Sequence, residues 1–292
     1  MNLKLKNYIM NDQNKTDRRN FLSKLGSAVV AGAVLSPVVS GATGLLLNND
    51  EESKKKWAMV IDLQNCTGCG ACTIACKNEN NVPDGIYWAN KISKTEGTFP
   101  NVRFDYMPTL CNHCEKAPCV KVCPTSAMHK AKGGITMHDP KKCIGCRYCM
   151  TACPYNVISF NDRKAHSKWR SEKSLIEGCT SSPTELNEKV GGNVIPYYNP
   201  EREDYGYAGI RPMGVVEKCT FCDHLVNKGE EPRCVQSCPS KARIFGDLND
   251  PDSNVNYLLG KYKPFRLKEE LGTEPKVHYI RSFNPGSYPD EI

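Results

Sequence analysis

The chain has 292 residues, enough for one large domain or two small ones, and a formal net charge of +7. Hydrophobic residues make up only 39% of it and the mean hydropathy is -0.51, so buried hydrocarbon alone does not hold a fold of this length. The charge does not mark a nucleic-acid binder. Residues 1–48 carry Lys4, Lys6, Lys15, Arg18, Arg19 and Lys24 against Asp12 and Asp17, and the remainder has no basic run interleaved with aromatics.

The first segment reads as a leader. Arg18 and Arg19 precede Asn20, Phe21 and Leu22, an uncharged stretch runs from Leu25 to Leu47, and a small-residue tail lies at Ser40-Gly41-Ala42. That is a positive region, an apolar region and a cleavage-like site, and the paired arginines match the twin-arginine type of export signal. The stretch is also long enough to span a bilayer, although Ala, Gly and Ser dominate it and Pro37 interrupts it. Cleavage after Ala42 and retention as an anchor both stay open. No later stretch is long and apolar enough to span, so the body is expected to be soluble and periplasmic, on the extracytoplasmic side of the membrane. The boundaries read as leader 1–48, linker 49–57 and a domain over 58–292 with an insertion at 161–217.

After the linker, "KKKWAMVIDLQNC" predicts a strand over Ala58 to Leu63. Four cysteine groups follow: Cys66, Cys69, Cys72 and Cys76; Cys111, Cys114, Cys119 and Cys123; Cys143, Cys146, Cys149 and Cys153; and Cys219, Cys222, Cys234 and Cys238. Of the seventeen cysteines only Cys179 stands outside them. Helical pieces are expected after the third cysteine of each group, as in "CTIACKNEN". Strand-like runs sit before the third group ("GGITMHD"), after it ("NVISFND") and after the fourth ("SKARIFGDL"). Residues 77–110 read as an irregular hairpin packed on the cysteine-rich core. The long stretch between Cys153 and Cys219, rich in Gly, Pro, Tyr and Asn, reads as a functional or partner-bound loop, against a solvent-facing decoration. Cys179 within it reads as unliganded.

Spacing decides among three readings of the cysteines. Groups one and three are C-x2-C-x2-C-x3-C, the bacterial ferredoxin run in which the fourth cysteine ligates the neighbouring cluster. Every group but the first ends in Cys-Pro: "CVKVCPT", "YCMTACPY" and "CVQSCPS". Zinc knuckles would use pairs of cysteines, and disulfides between such near neighbours would have poor geometry. Iron–sulfur clusters are the reading that fits. Assembled before export, they also explain how an exported chain keeps its thiols. Four of them would bring about eight negative charges and leave the mature protein mildly acidic.

The motifs "LCNHCEKAPCVKVCPTSAMHK", "CIGCRYCMTACPY" and "EKCTFCDHLVNKGEEPRCVQSCPSKARIFGDLNDP" carry a resemblance. From about Ala58 to Phe283 the chain resembles the four-cluster ferredoxin-type subunits of molybdopterin oxidoreductases, which include dimethyl sulfoxide, polysulfide, thiosulfate, tetrathionate and arsenate reductases. "ENNVPDGIYWANKISKTEGTFPNV" and the insertion resemble most the arsenate reductase small subunit; a leader on this subunit is more like the tetrathionate type. The resemblance implies an α+β fold of two ferredoxin-like modules related by a pseudo-twofold repeat, each holding two [4Fe-4S] clusters, with long loop insertions. It implies the ligand sets as well: Cys66, Cys69, Cys72 and Cys238; Cys76, Cys219, Cys222 and Cys234; Cys111, Cys114, Cys119 and Cys153; Cys123, Cys143, Cys146 and Cys149. The fourth cysteine of each group is expected on the helix after its triplet, facing the adjacent cluster. Some relatives, such as nitrate reductases, replace one cysteine with Trp and hold a three-iron cluster; with all sixteen present here, Cys119 included, four cubanes are implied. So are a molybdopterin catalytic subunit and an integral-membrane, quinol-interacting subunit as partners.

No Ser–His–Asp pattern, P-loop or Rossmann glycine run is present, so no catalytic residue is assigned. The leading reading is an electron-transfer subunit of an anaerobic respiratory reductase. A stand-alone reductase binding substrate in residues 161–217 is the alternative, weakened because all sixteen ligands are spoken for, and a scaffold with inert clusters is a third. His113, Lys142 and Arg147 adjoin the cysteines and read as ordinary surface or surrounding residues.

Overall fold

The computed structural model describes residues 55–163 and 209–282, together with Glu185, Lys189 and Gly191. The expected leader (1–48), most of the expected insertion (161–217) and Cys179 lie outside the described residues.

Strand β1 (Trp57–Asp62) is almost wholly buried, as an apolar run covered on both faces should be. It lies between β8 (Arg243–Asp247), antiparallel, and β9 (Val277–Ile280), parallel. Alternation sorts its side chains between two cores. Met59 and Ile61 face the main core, while Ala58 and Val60 pack with Val255 and Ile280 under helix α6 (Asn254–Lys261). The Ser253 hydroxyl caps α6 by accepting the Asn256 N–H at 3.3 Å. Where α6 crosses β8, a Cβ on Gly246 would stand 3.1 Å from a Val255 methyl.

Residues 77–110 are more regular than the sequence suggests. Strands β2 (Ala89–Glu96) and β3 (Arg103–Leu110) pair in unbroken antiparallel register from Ala89–Leu110 to Glu96–Arg103. The buried Tyr279 hydroxyl donates to the Pro108 carbonyl at 2.9 Å and ties this hairpin to the central sheet. Two smaller pairs complete the described strands: β4 (Met128–Lys130) with β5 (Thr136–His138), and β6 (Ser159–Phe160) with β7 (Val216–Glu217).

The pair β6–β7 closes the base of the insertion. The Asn161 N–H donates to the Val215 carbonyl at 2.9 Å and the Gly214 N–H to the Asn161 carbonyl at 2.7 Å. Buried Arg211 pairs with Glu217 at 2.7 Å and donates to the carbonyls of Asn80 (2.6 Å) and Asn81 (2.9 Å). The returning chain is thereby fastened to the end of helix α1 (Ala71–Glu79).

The remaining helices are short: α2 (Pro118–Lys121), α3 (Tyr148–Ala152), α4 (Asp223–Val226) and α5 (Arg233–Gln236). Helix α1 packs against α5, and α2 against α3. Cys76, Cys111, Cys114, Cys119, Cys149, Cys219 and Cys234 are themselves members of the main apolar core.

Two details of the sequence reading change. The helices do not follow the third cysteine of each group but contain it, at Cys72, Cys119, Cys149 and Cys234. Of the fourth cysteines only Cys76 is helical; Cys123, Cys153 and Cys238 lie just beyond the ends of α2, α3 and α5. The cause is the proline that follows each of those three. A residue before proline is steered out of the α region, and Cys153 sits at φ -82°, ψ 111°. Lys77 stands in that place after Cys76, so α1 runs on to Glu79.

Candidate iron–sulfur centres

Each group opens with the same turn. The residue two after the first cysteine is left-handed in all four: Gly68 (φ 67°), His113 (φ 43°), Gly145 (φ 70°) and Phe221 (φ 55°). The conformation aims its N–H back at the first sulfur, as from Gly145 to Cys143 Sγ and from Phe221 to Cys219 Sγ, both at 3.4 Å. Glycine is required at two of the four places. A Cβ on Gly68 would stand 2.6 Å from the Tyr106 ring, and one on Gly145 would run into the Gly214 carbonyl oxygen.

The Cys-Pro ends repeat a second turn. Ser126, Asn156 and Lys241 donate their N–H to the carbonyls of Cys123, Cys153 and Cys238 at 3.3 to 3.4 Å, each with a left-handed φ. The chain then turns N–H groups onto the sulfurs, Met128 to Cys123 at 3.4 Å and Ala242 to Cys238 at 3.3 Å. Burial pushes both thiols up, but those backbone N–H groups and the hydroxyls of Thr125 and Ser240 outweigh it and hold them below the ordinary thiol value.

The cysteines gather in four sets, each drawing on two groups. Cys66, Cys69, Cys72 and Cys238 line one cavity of about 380 Å³. Cys111, Cys114, Cys119 and Cys153 line a second of about 320 Å³, and Cys123, Cys143, Cys146 and Cys149 a third of about 290 Å³. Cys76 lies with Cys219, Cys222 and Cys234 in the buried interior, where burial, then those three thiols, push it well up. The Asn80 amide donates towards Cys222 Sγ at 3.6 Å and Cys76 Sγ at 3.8 Å.

The donor chemistry fits an iron–sulfur cluster. Burial and neighbouring thiols push Cys114 and Cys149 up to about 11 and Cys119 and Cys222 up to about 12. Without added positive charge such thiols stay protonated at neutral pH; bound iron displaces the protons and holds thiolates. None of the sixteen is in a disulfide.

The sets form a series. Cys72 of the first and Cys234 of the second feel one another electrostatically, as do Cys219 of the second and Cys111 of the third. Helix α2 carries Cys119 of the third set, and Cys123 of the fourth lies just past its end. Cys69 and Cys146, at opposite ends of the series, are exposed, whereas Cys76, Cys219, Cys222 and Cys234 are buried.

His113 and Phe221, from the turns of groups two and four, stack at 3.7 Å between centroids. His113 is therefore not a surface residue: it is buried, its Nδ1 accepts the Thr136 N–H at 3.2 Å, and burial holds it well below the ordinary imidazole value, helped by Lys218, Lys130 and Lys276. Lys142 is exposed beside Asp139, and the Arg147 guanidinium lies 3.6 Å from the Phe160 ring centre. Two buried cations escape a reading by motif. Arg243 donates to Cys234 Sγ at 3.8 Å, and the Lys218 ammonium donates to the carbonyls of Cys219 (2.7 Å) and Thr136. Lys218 directly precedes Cys219, whereas Arg243 lies nine residues beyond Cys234 at the start of a strand that holds no cysteine.

Comparison with known proteins agrees with this chemistry. A 4Fe-4S dicluster domain matches residues 102–181 and 193–248, and a 4Fe-4S binding domain matches residues 57–78. The arsenate respiratory reductase iron–sulfur subunit of Shewanella sp. (strain ANA-3) is 56% identical over 225 residues, covering 77% of this chain and 96% of that protein. A putative dimethyl sulfoxide reductase iron–sulfur subunit of Halobacterium salinarum is 40% identical, covering 79% of this chain and 81% of that protein. A tetrathionate reductase subunit of Salmonella typhimurium is 32% identical, covering 91% and 88% in the same order.

Proposed function

Because the chain belongs to the ferredoxin-type iron–sulfur subunits of the molybdopterin oxidoreductases, we propose that it conducts electrons between a membrane quinol-oxidising partner and a molybdopterin catalytic subunit of an anaerobic respiratory reductase, with arsenate the favoured acceptor. The series of four cysteine sets running from exposed Cys69 through a buried interior to exposed Cys146 carries this reading. Each set is assigned one [4Fe-4S] cluster: Cys66, Cys69, Cys72 and Cys238; Cys76, Cys219, Cys222 and Cys234; Cys111, Cys114, Cys119 and Cys153; Cys123, Cys143, Cys146 and Cys149. We call these cages one to four in that order, and read cages one and two against three and four as modules related by a pseudo-twofold repeat. When bound, such clusters accept and release single electrons.

The chain's own residues bind and tune. Sixteen thiolates hold the iron, the N–H groups of Gly145, Phe221, Met128 and Ala242 lower the charge cost at sulfur, and burial of cage two keeps water out. The experiment is purification of the native complex with identification of its large subunit, followed by assay of the isolated chain with a reduced dye. The isolated chain is expected to take up electrons and to reduce no oxyanion until the large subunit is added. Reduction of arsenate by the isolated chain would overturn the reading.

Export rests on the leader. Arg18 and Arg19 mark a twin-arginine signal, and we assign the mature protein to the periplasmic face of the membrane. Changing both arginines to lysine should leave the iron-loaded protein in the cytoplasmic fraction; undiminished recovery outside the membrane would remove the assignment.

A further inference from the structure

Arg243 opens strand β8 and is 2% exposed. Its Nη1 donates to Cys234 Sγ at 3.8 Å and to Met59 Sδ at 3.7 Å. The same side chain lines the cavity enclosed by Cys66, Cys69, Cys72 and Cys238. It therefore donates to a cysteine of cage two and lines the cavity of cage one. Its second terminal nitrogen, Nη2, is buried and has no hydrogen-bond partner.

Among the described residues no carboxylate pairs with Arg243, and the groups that act most on its charge are the thiols of Cys234, Cys72 and Cys219 and the Tyr279 phenol. A buried, unpaired guanidinium is strongly unfavourable unless an anion compensates it. Neutral thiols do not; thiolates on iron do.

We propose that Arg243 is a positioning residue shared by cages one and two, whose fixed positive charge compensates the clusters of both and raises both reduction potentials. The proposal rests on the ligand sets assigned above. Its physics is Coulombic: reduction adds negative charge, and a cation in a low-dielectric interior favours that form. No thiol of cages three and four is among the groups that act most on the Arg243 charge. A residue that merely packed against Met59 would change stability and leave the pattern of potentials unaltered.

The test is a redox titration, followed by electron paramagnetic resonance, of the anaerobically purified complex carrying Arg243→Gln or Arg243→Lys, with iron measured on each. Cys76→Ser and Cys238→Ser identify the signals of cages two and one independently of Arg243. If those two variants abolish the same signal, the ligand assignment fails rather than the role of Arg243. With Arg243→Gln we expect two of the potentials, those of cages one and two, to fall while the other two hold; Arg243→Lys should lower the same two by less. Should Arg243→Gln lose its iron, Arg243→Met, neutral and of similar length, carries the same criterion. Unmoved potentials at normal iron content, movement of one potential only, or an equal shift of all four would each overturn the proposal.

Discussion

At the scale of single residues, the centres depend on a few atoms that cannot be exchanged. Gly145 is left-handed, and a Cβ there would strike the Gly214 carbonyl oxygen, which belongs to the backbone and cannot turn away. Gly145→Ala combines that clash with a left-handed penalty of roughly 1–2 kcal/mol. We expect it to lower the melting temperature and to lose about four irons from cage four; unchanged iron would show that the turn yields. The paired cysteine variants probe the ligand sets. Cys76→Ser should alter the signal of the cluster held with Cys219, Cys222 and Cys234, and Cys238→Ser that of the cluster held with Cys66, Cys69 and Cys72, each without the other, because a lost thiolate leaves a weaker oxygen ligand or an iron that departs. Spectra of the two variants taken at matched potentials check this.

Among the elements, β6 and β7 separate the cages from the insertion. Their pairing, with the Asn161, Gly214 and Val215 bonds and the Arg211–Glu217 ion pair, closes the insertion at its base. We therefore expect the cages to hold without the loop beyond that base. Replacing residues 164–208 by a short Gly-Ser linker should leave iron content and melting temperature within error, since shortening a closed loop changes its closure entropy only slowly. Loss of electron delivery in that variant, at full iron content, would assign the loop to partner docking; loss of iron would show that it supports the cages. Removing Arg211 is a different matter. Arg211→Ala leaves Glu217 buried without its cation, an effect of about 3–5 kcal/mol for such pairs, and should unfasten the end of α1 at Asn80 and Asn81. Thermal melting of the iron-loaded protein measures it.

For the whole molecule, the cofactor is part of the core. Eight cysteines count among the buried residues, in a chain whose apolar content is low. Chelating the iron should therefore cause global loss of fixed tertiary structure rather than a local gap, as metal binding and folding are coupled. Near-ultraviolet circular dichroism before and after chelation reads this out; a retained native spectrum would show that hydrocarbon packing suffices. Metal analysis of the intact protein should return about sixteen irons per chain, and near eight would halve the number of cages.

What the sequence determined by itself is local. Cysteine spacing names the chemistry because a turn of two intervening residues presents sulfur on one side of a backbone loop, and a proline after the fourth cysteine ends the helix wherever it stands. Trp57–Asp62 was legible as a strand within one residue because an apolar run flanked by charge has few other uses. Tertiary structure alone decided the rest. Which groups share a cavity follows from α1 packing on α5 and α2 on α3, contacts between segments far apart in the chain. The burial of His113 against Phe221 and of Arg243 against Met59 was hidden for the same reason: whether a charged or aromatic side chain ends inside depends on what the distant chain brings to meet it, and no local pattern records that.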